Sequence, residues 1–181
     1  MAHAFDPGKL AELMLYVSAK SQEDQRFGAT KLNKLLFYAE FMMFAKYGRP
    51  ITGATYQRLD HGPAPRELPP IRRELTESRA AVIVPRDYFG LPQHALVPLR
   101  EPNLALFAGE EIAMVDWVIE KCWHETAASL SAATHRLPGW IFANEGEDIP
   151  YSAVFLSKHP LTPHEVTRGE DVAKLLGLQI S

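Results

Sequence analysis

The chain has 181 residues, 46% hydrophobic and 23% charged, with a single cysteine and a formal net charge of −3. That composition matches a soluble globular domain, long enough to bury roughly 70% of its unfolded surface without staples. It excludes an internal disulfide and the strongly basic footprint of a dedicated nucleic-acid binder. The charge is uneven: residues 1–90 carry 13 Lys+Arg against 10 Asp+Glu, and residues 91–181 carry 6 against 12. The opening M-A-H-A-F-D-P has neither a basic n-region nor a long apolar run, so no signal peptide and a cytoplasmic address are expected.

Asp6-Pro7 reads as the start of a first helix, with Asp as cap and Pro in the first turn. Leu10, Leu13, Met14 and Val17 follow at helical spacing. The polar run Ser18–Arg26 ends it, Gly28 is a turn residue, and Thr30 is placed to cap the next helix. That helix, Thr30–Tyr47, organises the chain. Leu32, Leu35, Leu36, Ala39, Met42 and Met43 form its core ladder, while Phe37, Tyr38, Phe41 and Phe44 leave little of the other face polar. Eighteen residues make a rod of about 27 Å, the width of a small domain. Glu40 and the short apolar run argue against a membrane span, which needs about 20 apolar residues. Gly48 and Pro50 end the helix.

Ile51–Leu59 suits a short strand, and Gly62-Pro63 a tight turn. A helix carrying Leu68, Ile71 and Leu75 begins at Pro65 or, by preference, after Pro69-Pro70. Ala80–Val84 and His94–Leu99 read as a hairpin with a loop of several residues. Pro85, Pro92 and Pro98 imply short strands or a sheet edge. A helix over Gly109–Trp123 follows, with Ile112, Val115, Val118, Ile119 and Cys122 on its core stripe. Thr126 caps a short helix through Leu130 and Thr134, and His135–Trp140 turns the chain. Asp148-Ile149-Pro150 resembles another helix start. Thr162-Pro163-His164-Glu165 has the form of a capping box, ahead of a last apolar face at Val172, Leu175 and Leu176. The predicted architecture is a single domain over residues 1–181. It is mainly α, a helical domain around a buried central helix, with a small antiparallel β-hairpin or sheet.

No catalytic set stands out. Cys122 and His124 point apart on a helix, and Cys122 falls on the apolar stripe. Among the seven histidines none forms H-E-x-x-H, and neither phosphate-loop pattern occurs, so no metal and no cofactor are expected. The polar groups of interest are Asp60-His61 beside the Gly-Pro turn and Thr134-His135 at a helix end. Asp60-His61 reads either as a contact or as a satisfied turn, and Thr134-His135 either as a surface contact or as a histidine locking the helix end to its neighbour.

Two stretches carry a family resemblance. The first is K-L-N-K-L-L-F-Y-A-E (Lys31–Glu40) with Y-Q-R-L-D-H-G-P-A-P (Tyr56–Pro65). The second is L-S-A-A-T-H-R-L-P-G-W (Leu130–Trp140) with Gly146–Ile149. In this order they resemble the Panacea domain, the SocA-like antitoxin family that also includes phage-associated proteins. The resemblance implies a mostly helical domain and an antitoxin that neutralises a cognate toxin protein by binding it, by blockade or by delivery to a protease. The fold does not name the toxin.

Two other readings remain open. One is a nucleic-acid-binding regulator using Arg66, Arg72, Arg73 and Arg79, although Glu67, Glu74 and Glu77 share that segment. The other is a hydrolase working through His61 or His135. On the antitoxin reading no specific nucleic acid and no membrane partner are expected. The candidate partner-binding residues are Tyr56, Asp60, His61, Arg66, His135 and Trp140, and the two motif segments are expected to meet near one end of the central helix.

Overall fold

In the computed structural model the described residues are 4–156, 162–164 and 166–168. Helix α1 (Pro7–Lys20) starts as its sequence predicts, the Asp6 carboxylate accepting from the Lys9 N–H at 2.9 Å. Helix α2 (Ala29–Tyr47) begins one residue before Thr30, and its N-cap is Gly28. A Cβ on Gly28 would lie 2.9 Å from the Gln93 Oε1 and 3.2 Å from the Gln93 Cβ, so a side chain there requires Gln93 to move. Both faces of α2 are covered: Leu32, Leu35, Leu36, Ala39 and Met43 are buried, and so are Phe37 and Phe41. Met42, expected in the core ladder, is 39% exposed. The aromatic face of α2 is buried in its place, against Tyr56 and Tyr151.

Strands β1 (Tyr56–Gln57) and β2 (Ala64–Pro65) pair antiparallel across the Gly62-Pro63 turn. Helix α3 (Leu68–Glu77) starts before Pro69-Pro70, not after them. Both prolines occupy its first turn, where a missing N–H breaks no intrahelical bond. Strands β3 (Ala81–Tyr88) and β4 (Leu91–Pro98) form a hairpin longer than predicted, closed by two residues, Phe89 and Gly90. Their φ values of +50° and +79° are those of a type I′ turn.

The three prolines do not shorten these strands, for a reason of register. The Leu99 N–H donates to the Ala80 carbonyl at 2.8 Å, so alternation makes 82/97, 84/95, 86/93 and 88/91 the hydrogen-bonded pairs. Pro85, Pro92 and Pro98 fall at the intervening positions, where an N–H would point away from the partner strand. They remove donors only from the free edges, which blunts the hairpin against pairing with another chain.

Helices α4 (Gly109–Lys121) and α5 (Ala127–Thr134) follow; α4 ends before Trp123, and Thr126 caps α5 through the Ser129 N–H at 3.0 Å. A one-and-a-half-turn helix α6 (Pro138–Phe142) and a 3-10 turn (Tyr151–Phe155) complete the described core. The chain is mainly helical with two small antiparallel sheets. Among the described residues no helix is long and apolar enough to cross a membrane. The capping box at Thr162 is described only in part, with the Val166 N–H donating to the Thr162 carbonyl at 3.0 Å. Val172, Leu175 and Leu176 lie outside the described residues.

Candidate functional site

The two motif segments are joined by backbone hydrogen bonds. Residues 146–149 lie along the free side of β1 and join it at one antiparallel bridge, Gln57 opposite Asp148. The Arg58 N–H donates to the Glu147 carbonyl at 2.9 Å, the Gly146 N–H to the Arg58 carbonyl at 2.8 Å, and the Ile149 N–H to the Tyr56 carbonyl at 2.7 Å. Side chains reinforce the join. The Trp140 indole donates to the Leu59 carbonyl at 3.2 Å, and the Ser131 hydroxyl to the His61 carbonyl at 2.9 Å. Arg66 pairs with Asp148 at 2.5 Å and donates to the Gly146 carbonyl. The segments meet along the flank of α2 and not at one end, because Tyr56 packs on Phe37 and Phe41 in its middle.

Beneath this join α2 carries three buried charges, Lys31, Lys34 and Glu40, and each holds a different loop. Lys31 pairs with Asp24 at 2.6 Å and donates to the carbonyls of Trp123 and Glu125 at 3.2 and 2.6 Å. It therefore ties the α1–α2 connection to the end of α4. Lys34 donates to the Pro63 carbonyl at 3.1 Å, directly under the Gly-Pro turn. Burial pushes the Lys34 ammonium down to about 8, since desolvation disfavours its charged form. Glu40 accepts from the Ile51 N–H at 2.7 Å, the Thr52 N–H at 3.0 Å and the Thr52 hydroxyl. These three residues were missed as functional candidates. The available signal was the presence of charges inside a helix otherwise apolar nearly all round.

Glu40 gives a pH signature. Desolvation lifts its carboxyl from 4.5 to about 7, opposed in part by the hydrogen bonds from Thr52 and Ile51. The folded carboxyl thus keeps its proton to higher pH than the unfolded one. The stability from this group is fully present below about pH 4.5 and declines as pH rises to about 7, by roughly 3 kcal/mol in all. Urea titrations of wild type and Glu40→Gln at several pH values should show the wild type losing stability relative to the variant over that window. A pH-independent difference would refute the titration.

The six candidate residues separate into groups. Tyr56 is 1% exposed, enclosed by Phe37, Phe41 and Tyr151, so as a partner contact it is corrected to a core residue. Asp60 and His61 are exposed and share one surface depression with His135, Ser131 and Thr30. His135 stacks on Trp140 with ring centroids 4.1 Å apart, and the Arg58 guanidinium lies 3.9 Å from the Trp140 ring centroid. Trp140 is therefore half-buried, with contacts to both groups. Arg66 stands at the margin with Asp148, 43% of its side chain exposed. Outside the six lie further exposed apolar residues: Leu137 just before α6, Ile141 and Phe142 on it, Phe155 of the adjacent 3-10 turn and Leu156 just after that turn.

Chemically the arrangement offers apolar and polar contact surface. Among the described residues no group of three His, Cys, Asp or Glu could hold a metal ion. Burial raises the Cys122 thiol above its ordinary value, which disfavours a thiolate. Arg73 and Arg79 are exposed, but Glu74 and Glu77 are exposed on the same segment.

The family model described as antitoxin SocA-like, Panacea domain, matches residues 32–141. No curated protein and no solved structure matches the chain. The family match covers more than half of the sequence, from the core of α2 through α5 to Ile141 of α6, and includes the Tyr56–Arg66 and His135–Trp140 segments that pack together here. This chain belongs to the SocA-like antitoxin family defined by the Panacea domain.

Proposed function

We propose that the chain neutralises a cognate toxin protein by direct binding, with residues 1–181 acting as one antitoxin domain. The observation that carries this reading is the set of exposed large apolar residues on and beside α6 and the neighbouring 3-10 turn: Leu137, Ile141, Phe142, Phe155 and Leu156. Phe142 is 66% exposed, and its neighbour Trp140 is held between His135 and Arg58. Large apolar side chains on a fixed element, bordered by polar groups, are the usual anchors of a protein interface. Asp60, His61 and Arg66 supply the polar border. Tyr56 supports the face from beneath, and neutralisation proceeds by blockade or by delivery to a protease.

The test uses the purified product of the toxin gene adjacent to the one encoding this chain. Phe142→Ala should weaken binding by about 2 kcal/mol while the melting temperature stays within a degree or two of wild type. Tyr56→Ala should lower stability first and affinity only as folding fails. Affinity unchanged in folded Phe142→Ala and Ile141→Ala proteins would place the interface on another face.

A further inference from the structure

The β3–β4 hairpin ends in a residue that is unfavourable for the free protein on two counts. Phe89 occupies the first turn position with φ +50°, a left-handed conformation that suits Gly, Asn or Asp and not an aromatic. The residue is also 89% exposed, the largest value among the large apolar residues described. Its ring packs edge to face on the neighbouring Tyr88, with centroids 4.8 Å apart. Leu91, across the turn, is 64% exposed.

The arm that carries this tip is fixed in place. Ala81, Ala95 and Leu96 at its base are buried in the core. Its distal half rests on the α1–α2 connection: Arg86 donates to the Gln22 carbonyl at 3.2 Å, and the Arg26 guanidinium lies 5.7 Å from the Tyr88 ring centroid. The Gly90 N–H donates to the Asp87 carboxylate at 2.9 Å, closing the turn. A depression beside the tip is lined by Gln22, Glu23, Gln25, Arg86 and Asp87 together with Tyr88 and Phe89. An apolar anchor with a polar rim on a preorganised support is the layout of a protein-binding element.

We propose that Tyr88–Leu91 is an insertion finger whose Phe89 ring enters an apolar pocket of the toxin protein. The proposal rests on the antitoxin reading and adds a second contact to it. Recognition by strand addition is disfavoured, because Pro85, Pro92 and Pro98 strip donors from the hairpin's free edges. An anionic membrane is disfavoured too, because Glu23 and Asp87 balance the two arginines beside the tip, Arg26 and Arg86. A single protruding ring fits a concave protein surface.

The test is Phe89→Asn, which creates the Asn-Gly pair that type I′ turns prefer. In the full chain it should raise the melting temperature by about 2–4 °C, by relieving left-handed strain. In the same protein, affinity for the purified toxin from the adjacent gene should fall at least tenfold. A more stable variant with wild-type affinity overturns the finger and leaves the antitoxin reading intact, since Phe142→Ala reports on that separately. A lower melting temperature would show that Phe89 serves the fold, and would overturn the proposal. Failure of the wild-type chain to bind that toxin would overturn both readings. Phe89-dependent binding to phosphatidylcholine–phosphatidylglycerol vesicles, or a Phe89-dependent dimer in sedimentation, would overturn the choice of partner.

Discussion

A Lys31→Met variant is expected to lose about 3–5 kcal/mol of stability, the cost of removing one member of a buried ion pair. Lys31 is 1% exposed, and its ammonium serves Asp24 and the carbonyls of Trp123 and Glu125 together. Methionine fills much the same volume but donates nothing. Asp24, 3% exposed, would keep only the Arg26 N–H at 2.9 Å as a partner for its charge. Because most of the loss comes from that stranded carboxylate, adding Asp24→Asn should recover part of it. The double variant should therefore be more stable than Lys31→Met alone, measured by urea denaturation at pH 7. Strictly additive losses would mean that the two groups are not coupled. The loss should also loosen both ends of the tie, the α1–α2 connection and the end of α4, and hydrogen exchange at those segments would report it.

That tie also marks where the sequence stops being informative. The central helix was legible because its apolar spacing is local, and the caps at Asp6 and Thr126 were legible because a cap acts within three residues. The partners of Lys31 at Trp123 and Glu125 lie more than 90 positions away, so nothing beside Lys31 indicates them. The hairpin was read too short for a related reason. A proline harms a strand only where its nitrogen faces the partner, and that depends on a register set by the turn. Tyr56 and Met42 were misplaced because an aromatic or aliphatic residue carries no mark of how many neighbours will cover it. Tyr56 is enclosed by Phe37, Phe41 and Tyr151, while Met42 lies at a groove with Tyr47 and Trp117. The meeting of the two motif segments was legible from the Gly-Pro and Pro-Gly turns they carry, with the resemblance adding to it, but its place on the flank of α2 was not. Their exposed apolar neighbours, Ile141 and Phe142, were not singled out because α6 is too short to show a period.

Gly62→Ala should destabilise the protein by about 2–6 kcal/mol, combining backbone strain with overpacking. Gly62 has φ +88°, where a side chain is strained whatever the space. The space is also filled: a Cβ there would lie 2.4 Å from the Thr134 Oγ1 and 2.8 Å from the Lys34 Nζ. The turn thus sits directly on one side chain of α2 and one of α5. These two sources of cost can be separated. Thr134→Ala removes the nearer atom, at the expense of the hydroxyl's bond to the Ser131 carbonyl at 2.8 Å. Alone it should destabilise; combined with Gly62→Ala it should restore part of the loss, leaving the φ strain and the Lys34 contact. A combined loss equal to the sum of the single losses would show that the Thr134 contact does not limit the turn. The same variants bear on binding, because the turn presents Asp60 and His61, whose carbonyl is held by the Ser131 hydroxyl. If those residues border the toxin site, affinity measured below the melting transition should fall in Gly62→Ala and return, with stability, in the double variant. An affinity indifferent to both changes would remove Asp60 and His61 from the binding face and leave α6 to carry it.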